Sequence, residues 1–168
     1  MKKPQTNYAF IDGTNLHLTM VNVVGWQLDY SRFRVYLSEH YGICKTYYFI
    51  GYVPENADLY ANLQSYGYIL IFKPTLEIKG GRIKGNCDAE MVLQAMIDLN
   101  HYEKAVLVTS DGDFACLAKY LNNIDKLERV LAPCRSGCSH LLQKAAGSKI
   151  AFIDDLKGKL EYKTKRTP

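Results

Sequence analysis

The strongest constraint on the fold is a set of short apolar runs that do not alternate with polar residues. Y-A-F-I at 8–11 and A-V-L-V at 105–108 are examples. Runs of this length, bounded by polar or turn residues, read as strands buried on both faces rather than as half-exposed strands. Further strands are expected at 43–53, 68–72, 128–131 and 150–153, where β-branched and aromatic residues concentrate. Helical patterns alternate with them. One is a segment capped by Asp29 or Ser31 that runs to His40 before Gly42, and the apolar stretch 16–24, without clear periodicity, reads as a helix closed by Gly25. The others are 56–66, ended by Gly67, then 88–99, 114–121 and 139–146. In 88–99, Met91, Val92, Ala95, Met96 and Leu99 recur at helical spacing. Strands alternating with helices predict an α/β fold: a three-layer α/β/α sandwich with a mostly parallel central sheet. Only 76–83 departs from this, reading as a hairpin about Gly80-Gly81.

A chain of 168 residues, 48% of them hydrophobic, suits one domain with a sizeable core. The domain is expected over 1–156, followed by a basic tail at 157–168. That tail holds Lys157, Lys159, Lys163, Lys165 and Arg166 against Glu161, which accounts for the whole net charge of +4. Such a tail can meet nucleic acid through phosphate attraction or serve as a solvated terminus. No apolar run approaches the roughly 18–20 residues of a membrane span, and the start shows no signal-peptide pattern. A cytoplasmic protein without membrane contact is expected, and a homo-oligomer is compatible with the sequence. The five cysteines are scattered, which argues against a disulfide framework. Cys134, Cys138 and His140 form the one tight cluster, a weak zinc pattern without a second cysteine pair.

The acids carry the chemistry. In open α/β sheets, sites form beyond the carboxyl ends of the strands. Asp12 ends the first strand, and Asp111 and Asp113 follow the 105–108 strand in T-S-D-G-D-F. Asp88 opens the long helix, which can start at the same edge. Singly, each has a structural explanation: Asp12 and Asp113 as helix caps, Asp111 as a turn residue, Asp88 as a first-turn acid. Together they repel, unless a cation relieves them. Oxygen-only ligand sets suit hard ions, Mg²⁺ or Mn²⁺. Asp98 lies ten residues beyond Asp88, roughly 15 Å along one helix, and is expected to be a solvated acid outside the site. Lys79, Arg82 and Lys84 can hold a phosphate backbone. Tyr47, Tyr48 and Tyr52 can stack on bases, although core or rim positions suit most tyrosines in strands better. His17, His40, His101 and His140 have no partner motif, and no Walker-type phosphate loop is present.

F-I-D-G-T-N-L at 10–16, K-G-N-C-D at 84–88 and V-T-S-D-G-D-F at 108–114 resemble, in this order, the signature segments of the NYN-domain family, the LabA-like branch of the PIN-like nucleases. The segment 139–156 resembles that family's closing helix and strand, so the likeness runs from about Tyr8 to Leu156. It implies a PIN-like sandwich and a Mg²⁺- or Mn²⁺-dependent ribonuclease. Asp12, Asp88, Asp111 and Asp113 match the metal-binding acids, and Asn15 matches the polar residue that orders the site. Ser110 matches the small residue before the last acids. Thr14, Ser110, Arg82 and Lys84 are expected to contact substrate. Gly147 departs from the pattern, since family members often carry an acid near that helix end.

The expected function is therefore endonucleolytic cleavage of single-stranded or loop RNA. The alternative is an RNA-binding or regulatory module with the same fold and little turnover. A phosphatase of the haloacid dehalogenase type is disfavoured. Its chemistry needs a second acid two residues after the first, and Thr14 stands there.

Overall fold

The computed structural model describes residues 6–73, 76–78, 82–84 and 87–164. All six residues of β1 (Asn7–Asp12) and all four of β6 (Ala105–Val108) are buried, as non-alternating apolar runs require. These two strands lie side by side at the centre of a six-stranded sheet. The other strands are β2 (Ile43–Gly51), β3 (Tyr68–Lys73), β7 (Leu127–Ala132) and β8 (Ile150–Phe152). The order is β3-β2-β1-β6-β7-β8, and every pairing is parallel. From β1 the chain winds outward to β3; from β6 it winds outward the other way to β8. The strand order therefore reverses between β1 and β6, and in open sheets of this kind sites form at such a point, beyond the carboxyl ends.

The reversal also changes the covered face. Helices α1 (Gly13–Thr19), α2 (Tyr30–Tyr41) and α3 (Ala57–Ser65) bury Leu16, Phe33, Leu37, Tyr60 and Leu63 on one side, against Ala9, Ile11, Tyr48 and Val106. Helices α4 (Asp88–Ile97), α5 (Ala115–Asn123) and α6 (His140–Ala146) bury Met91, Ala95, Leu117, Leu121 and Leu142 on the other, against Phe10, Phe49 and Leu107. The result is the three-layer α/β/α sandwich expected from sequence. Leu76–Ile78 (β4) and Arg82–Lys84 (β5) pair antiparallel, Leu76 with Lys84 and Ile78 with Arg82. The hairpin is thus present, and its expected turn at Gly80-Gly81 lies outside the described residues.

Three expectations need correction. The helix read at 16–24 starts earlier, at Gly13, and changes at Met20 into a π-helical turn that ends on Gly25 in the left-handed region. Residues 157–161, read as the start of a basic tail, are structured and packed on the domain. Lys157–Leu160 forms α7, Leu160 is buried, and Glu161 bridges to Leu28. The third is Asp98, which is 7% exposed and accepts hydrogen bonds from the Tyr47 hydroxyl (2.6 Å) and the Gln94 amide (3.0 Å), with His101 Nδ1 at 3.4 Å. Burial by itself would raise its pKa, but these bonds and Lys45 hold it below the usual carboxylate value. The apolar periodicity of α4 gave no hint of a partner arriving from β2. Tyr47→Phe removes one bond to a buried carboxylate and is expected to lower stability by about 1–2 kcal/mol in denaturant unfolding. Because the Asp98 pKa is depressed in the folded state, that difference should be present at neutral pH and shrink as acid titrates the group.

Candidate metal centre

Asp12 closes β1 and caps α1: its Oδ1 accepts the Asn15 backbone N–H at 3.1 Å. A cap satisfies a helix donor that would otherwise lack a partner, and here it also fixes the carboxylate at the carboxyl end of β1. The second oxygen, Oδ2, accepts the Thr109 hydroxyl at 3.2 Å. Thr109 is fully buried, and its Oγ1 accepts the Asp111 N–H at 3.1 Å. One threonine therefore couples the acid on β1 to the loop after β6. It went unnoticed in the sequence, where its only mark is a hydroxyl directly after an apolar run.

Asn15 makes a second link. Its Oδ1 accepts both the backbone N–H and the hydroxyl of Ser110, each at 2.9 Å. A backbone N–H can only donate, so the bonded atom is the amide oxygen and Nδ2 remains a donor on the other side. Ser110 is buried, and its carbonyl accepts the Ser139 N–H at 2.9 Å, tying the loop to the start of α6. Asp111 Oδ1 then accepts the Asp113 N–H at 3.0 Å, which shapes the turn through Gly112.

These bonds and the amino end of α4 bring Asp88, Asp111 and Asp113 together. Each offers one carboxylate oxygen, and the three oxygens lie within 4.8 Å of one another. Asp88 and Asp111 are half-buried, and Asp113 is exposed. Asp12 is outside this group of three but is its buried neighbour, 9% exposed. Its pKa is pushed up to about 6: burial raises it most, the Asn15 N–H lowers it, Asp88 raises it, the Thr109 hydroxyl lowers it and Asp111 raises it. The donor set is all oxygen, which fits a hard divalent ion such as Mg²⁺ or Mn²⁺.

The raised pKa fixes a pH dependence. Below about pH 4, Asp12 is protonated whether folded or unfolded. Between about 4 and 6 the unfolded chain has released this proton and the folded protein still holds it, so folding stability falls as pH rises. Metal-free protein is expected to lose on the order of 2–3 kcal/mol across that window relative to an Asp12→Asn variant, and no more above it. Denaturant unfolding of both proteins in EDTA at pH 4, 5, 6 and 7 measures this.

Of the other expected site residues, Thr14 is exposed in the first turn of α1. Arg82 and Lys84 stand in β5, and their side chains lie outside the described residues, as does Lys79. Lys73, at the end of β3, pairs with Glu90 of α4 at 3.3 Å. It was missed because nothing in sequence joins the end of β3 to α4. Cys87 lies among these charges. Its thiol is pushed up to about 11 by burial, then Glu90 and Asp12, with Lys73 opposing and Asp88 adding. Among the described residues, Cys134, Cys138 and His140 do not converge as metal ligands. Tyr47 and Tyr48 are core residues, 7% and 1% exposed, and cannot stack on bases; Tyr52 is exposed. A cavity of about 630 Å³ lined by Trp26, Asp29, Tyr30, Asn62, Tyr66 and Tyr162 involves none of Asp12, Asp88, Asp111 and Asp113. No helix among the described residues is long and apolar enough to cross a membrane.

The family model of the NYN domain matches residues 8–153. In fold, the chain is similar to the crystal structure of a protein of unknown function from Vibrio parahaemolyticus. The TM-score is 0.79 at 19% identity, covering 95% of this chain and 98% of that one. A weaker likeness, TM-score 0.38 at 14% identity, is to the leucoanthocyanidin reductase–NADPH complex of Vitis vinifera, covering 74% of this chain and 35% of that one. No curated protein matches. With the family model spanning most of the chain, and its three acidic segments meeting where the strand order reverses, the protein belongs to the NYN-domain family.

Proposed function

We propose that this protein is a divalent-metal-dependent ribonuclease that cuts within RNA. The observation that carries the reading is the convergence of Asp88, Asp111 and Asp113 at the strand-order reversal, with Asp12 behind them. NYN domains are PIN-like, and the family has ribonuclease members, which supports this choice of substrate over other phosphate esters.

In this reading Asp88, Asp111 and Asp113, together with Asp12, hold Mg²⁺ or Mn²⁺. When bound, the ion supplies Lewis-acid polarisation of a phosphoryl oxygen and lowers the pKa of a coordinated water. The chain's own groups hold the geometry. Thr109 fixes the Asp12 carboxylate, Ser110 fixes the Asn15 amide, and Asn15 Nδ2 is left to donate to a phosphate oxygen. Thr14, Arg82 and Lys84 contact the substrate backbone.

The test is an RNA cleavage assay on a mixed-sequence single strand with Mn²⁺ or Mg²⁺, and with EDTA. Cleavage is expected only with metal, by initial cuts at internal positions. RNA binding without cleavage in either metal would favour the alternative of a binding module. Absence of both RNA binding and metal binding would remove the reading altogether.

A further inference from the structure

Resting on the ribonuclease reading, we propose that Tyr52 and Phe72 form a base-stacking platform that seats unpaired nucleotides of the RNA beside the acids. Tyr52 follows the end of β2, and Phe72 is the next-to-last residue of β3; the Tyr52 N–H donates to the Lys73 carbonyl at 3.0 Å. Both are large aromatic side chains with exposed area, 46% and 38%. They meet nearly at right angles, with centroids 5.5 Å apart. Buried Tyr60 supports both, 6.0 Å from Tyr52 and 4.8 Å from Phe72. Tyr60 is itself pinned: its hydroxyl accepts the Val53 N–H at 2.9 Å and donates to the Gly51 carbonyl at 3.3 Å. The pair is therefore a preorganised apolar surface, which lowers the ordering cost of binding a flat ligand.

Its position says what the ligand is. The strands of the six-stranded sheet are all parallel, so the carboxyl ends of β3, β2, β1 and β6 share one edge. Asp12 pairs with Phe49, and Tyr52 lies three residues further on, roughly 10 Å along the strand direction and one strand spacing to the side. Phe72 and Lys73 are adjacent on a strand and so point to opposite faces. Phe72 packs with Tyr60 on the α3 side, while Lys73 reaches Glu90 on the α4 side and acts on Cys87 together with Asp12 and Asp88. A single strand draped over this crest places bases on the rings and phosphates toward Lys73 and the acids. A duplex cannot, because its bases are already stacked.

The experiment uses the full chain carrying Asp111→Asn and Asp113→Asn, so that RNA survives. Fluorescence anisotropy measures binding of a fluorescein-labelled 12-nucleotide single-stranded RNA and of the matching duplex. Adding Tyr52→Leu and Phe72→Leu keeps apolar cover over Tyr60 but removes the rings. The expected result is a Kd for the single strand raised about tenfold per ring, with duplex binding unchanged. Tyr52→Trp is expected to retain affinity, with its fluorescence quenched by the single strand. Equal single-strand affinity with and without the rings would overturn the platform and leave the ribonuclease reading intact. Absence of single-strand binding by the chain with its native acids in EDTA, together with absence of metal binding, would overturn both.

Discussion

Replacing Asp12 and Asp111 together with asparagine is expected to reduce metal-dependent RNA cleavage by on the order of 1,000-fold or more, since even groups that only orient metal ligands cost about 10–100-fold. Asparagine keeps the shape and an acceptor oxygen. The cap on Asn15 and the turn to Asp113 can persist; toward Thr109 the amide nitrogen replaces a carboxylate oxygen, so that contact persists with the amide donating and the hydroxyl oxygen accepting. What is lost is charge. Folding should therefore not suffer, and metal-free stability at pH 7 should rise, because a crowded carboxylate with a pKa of about 6 has been neutralised. The stabilisation that Mn²⁺ gives the parent in thermal melting should vanish. Cleavage kinetics and melting with and without Mn²⁺ separate these effects. Undiminished cleavage by the double variant would remove the acids from the mechanism.

The second large effect concerns Gly13. A Cβ placed there would lie 2.2 Å from Tyr48 Cε1 and 2.7 Å from the Phe49 carbonyl oxygen. Neither neighbour can yield. Tyr48 is 1% exposed and bonds the Gly13 carbonyl and the Tyr30 hydroxyl, and Phe49 pairs with Asp12 in the sheet. Gly13→Ala is expected to cost about 3 kcal/mol or more. For a chain of this size that lowers Tm by roughly 6–12 °C. Since Gly13 follows Asp12, the shift should also disturb the acid. Gly158→Ala is the control: nothing lies within 4 Å of its Cβ, so little change or slight stabilisation is expected. Equal melting of Gly13→Ala and the parent would show that the β1–α1 turn has room to relax.

D-G-T-N was legible in sequence as a turn with an acid at a strand end. The reason its glycine admits no side chain lies in β2, about 35 residues away. Similarly, T-S-D-G-D-F announced two acids and a turn, but not that Thr109 would bond Asp12 or Ser110 would bond Asn15. Caps and turns are local, set by neighbours within three or four residues, so they can be read from sequence. Couplings between β1 and the loop after β6 depend on which strands become neighbours, and the spacing of motifs does not record that.

The sequence by itself determined the class of fold and marked four acids as candidates. Non-alternating apolar runs leave few options besides a buried parallel sheet, and carboxylates declare their chemistry by composition. Only the tertiary structure decided how they are arranged. The reversal of strand order between β1 and β6 brings Asp88, Asp111 and Asp113 within reach of one ion and places Asp12 behind them. It also carried Asp98 into contact with Tyr47, and set Lys73 and the Tyr52–Phe72 rings along the same edge as the acids. Burial and charge coupling, including the raised pKa of Asp12, arise from packing between segments far apart in the chain. They are properties of the folded neighbourhood, which no single stretch of sequence contains.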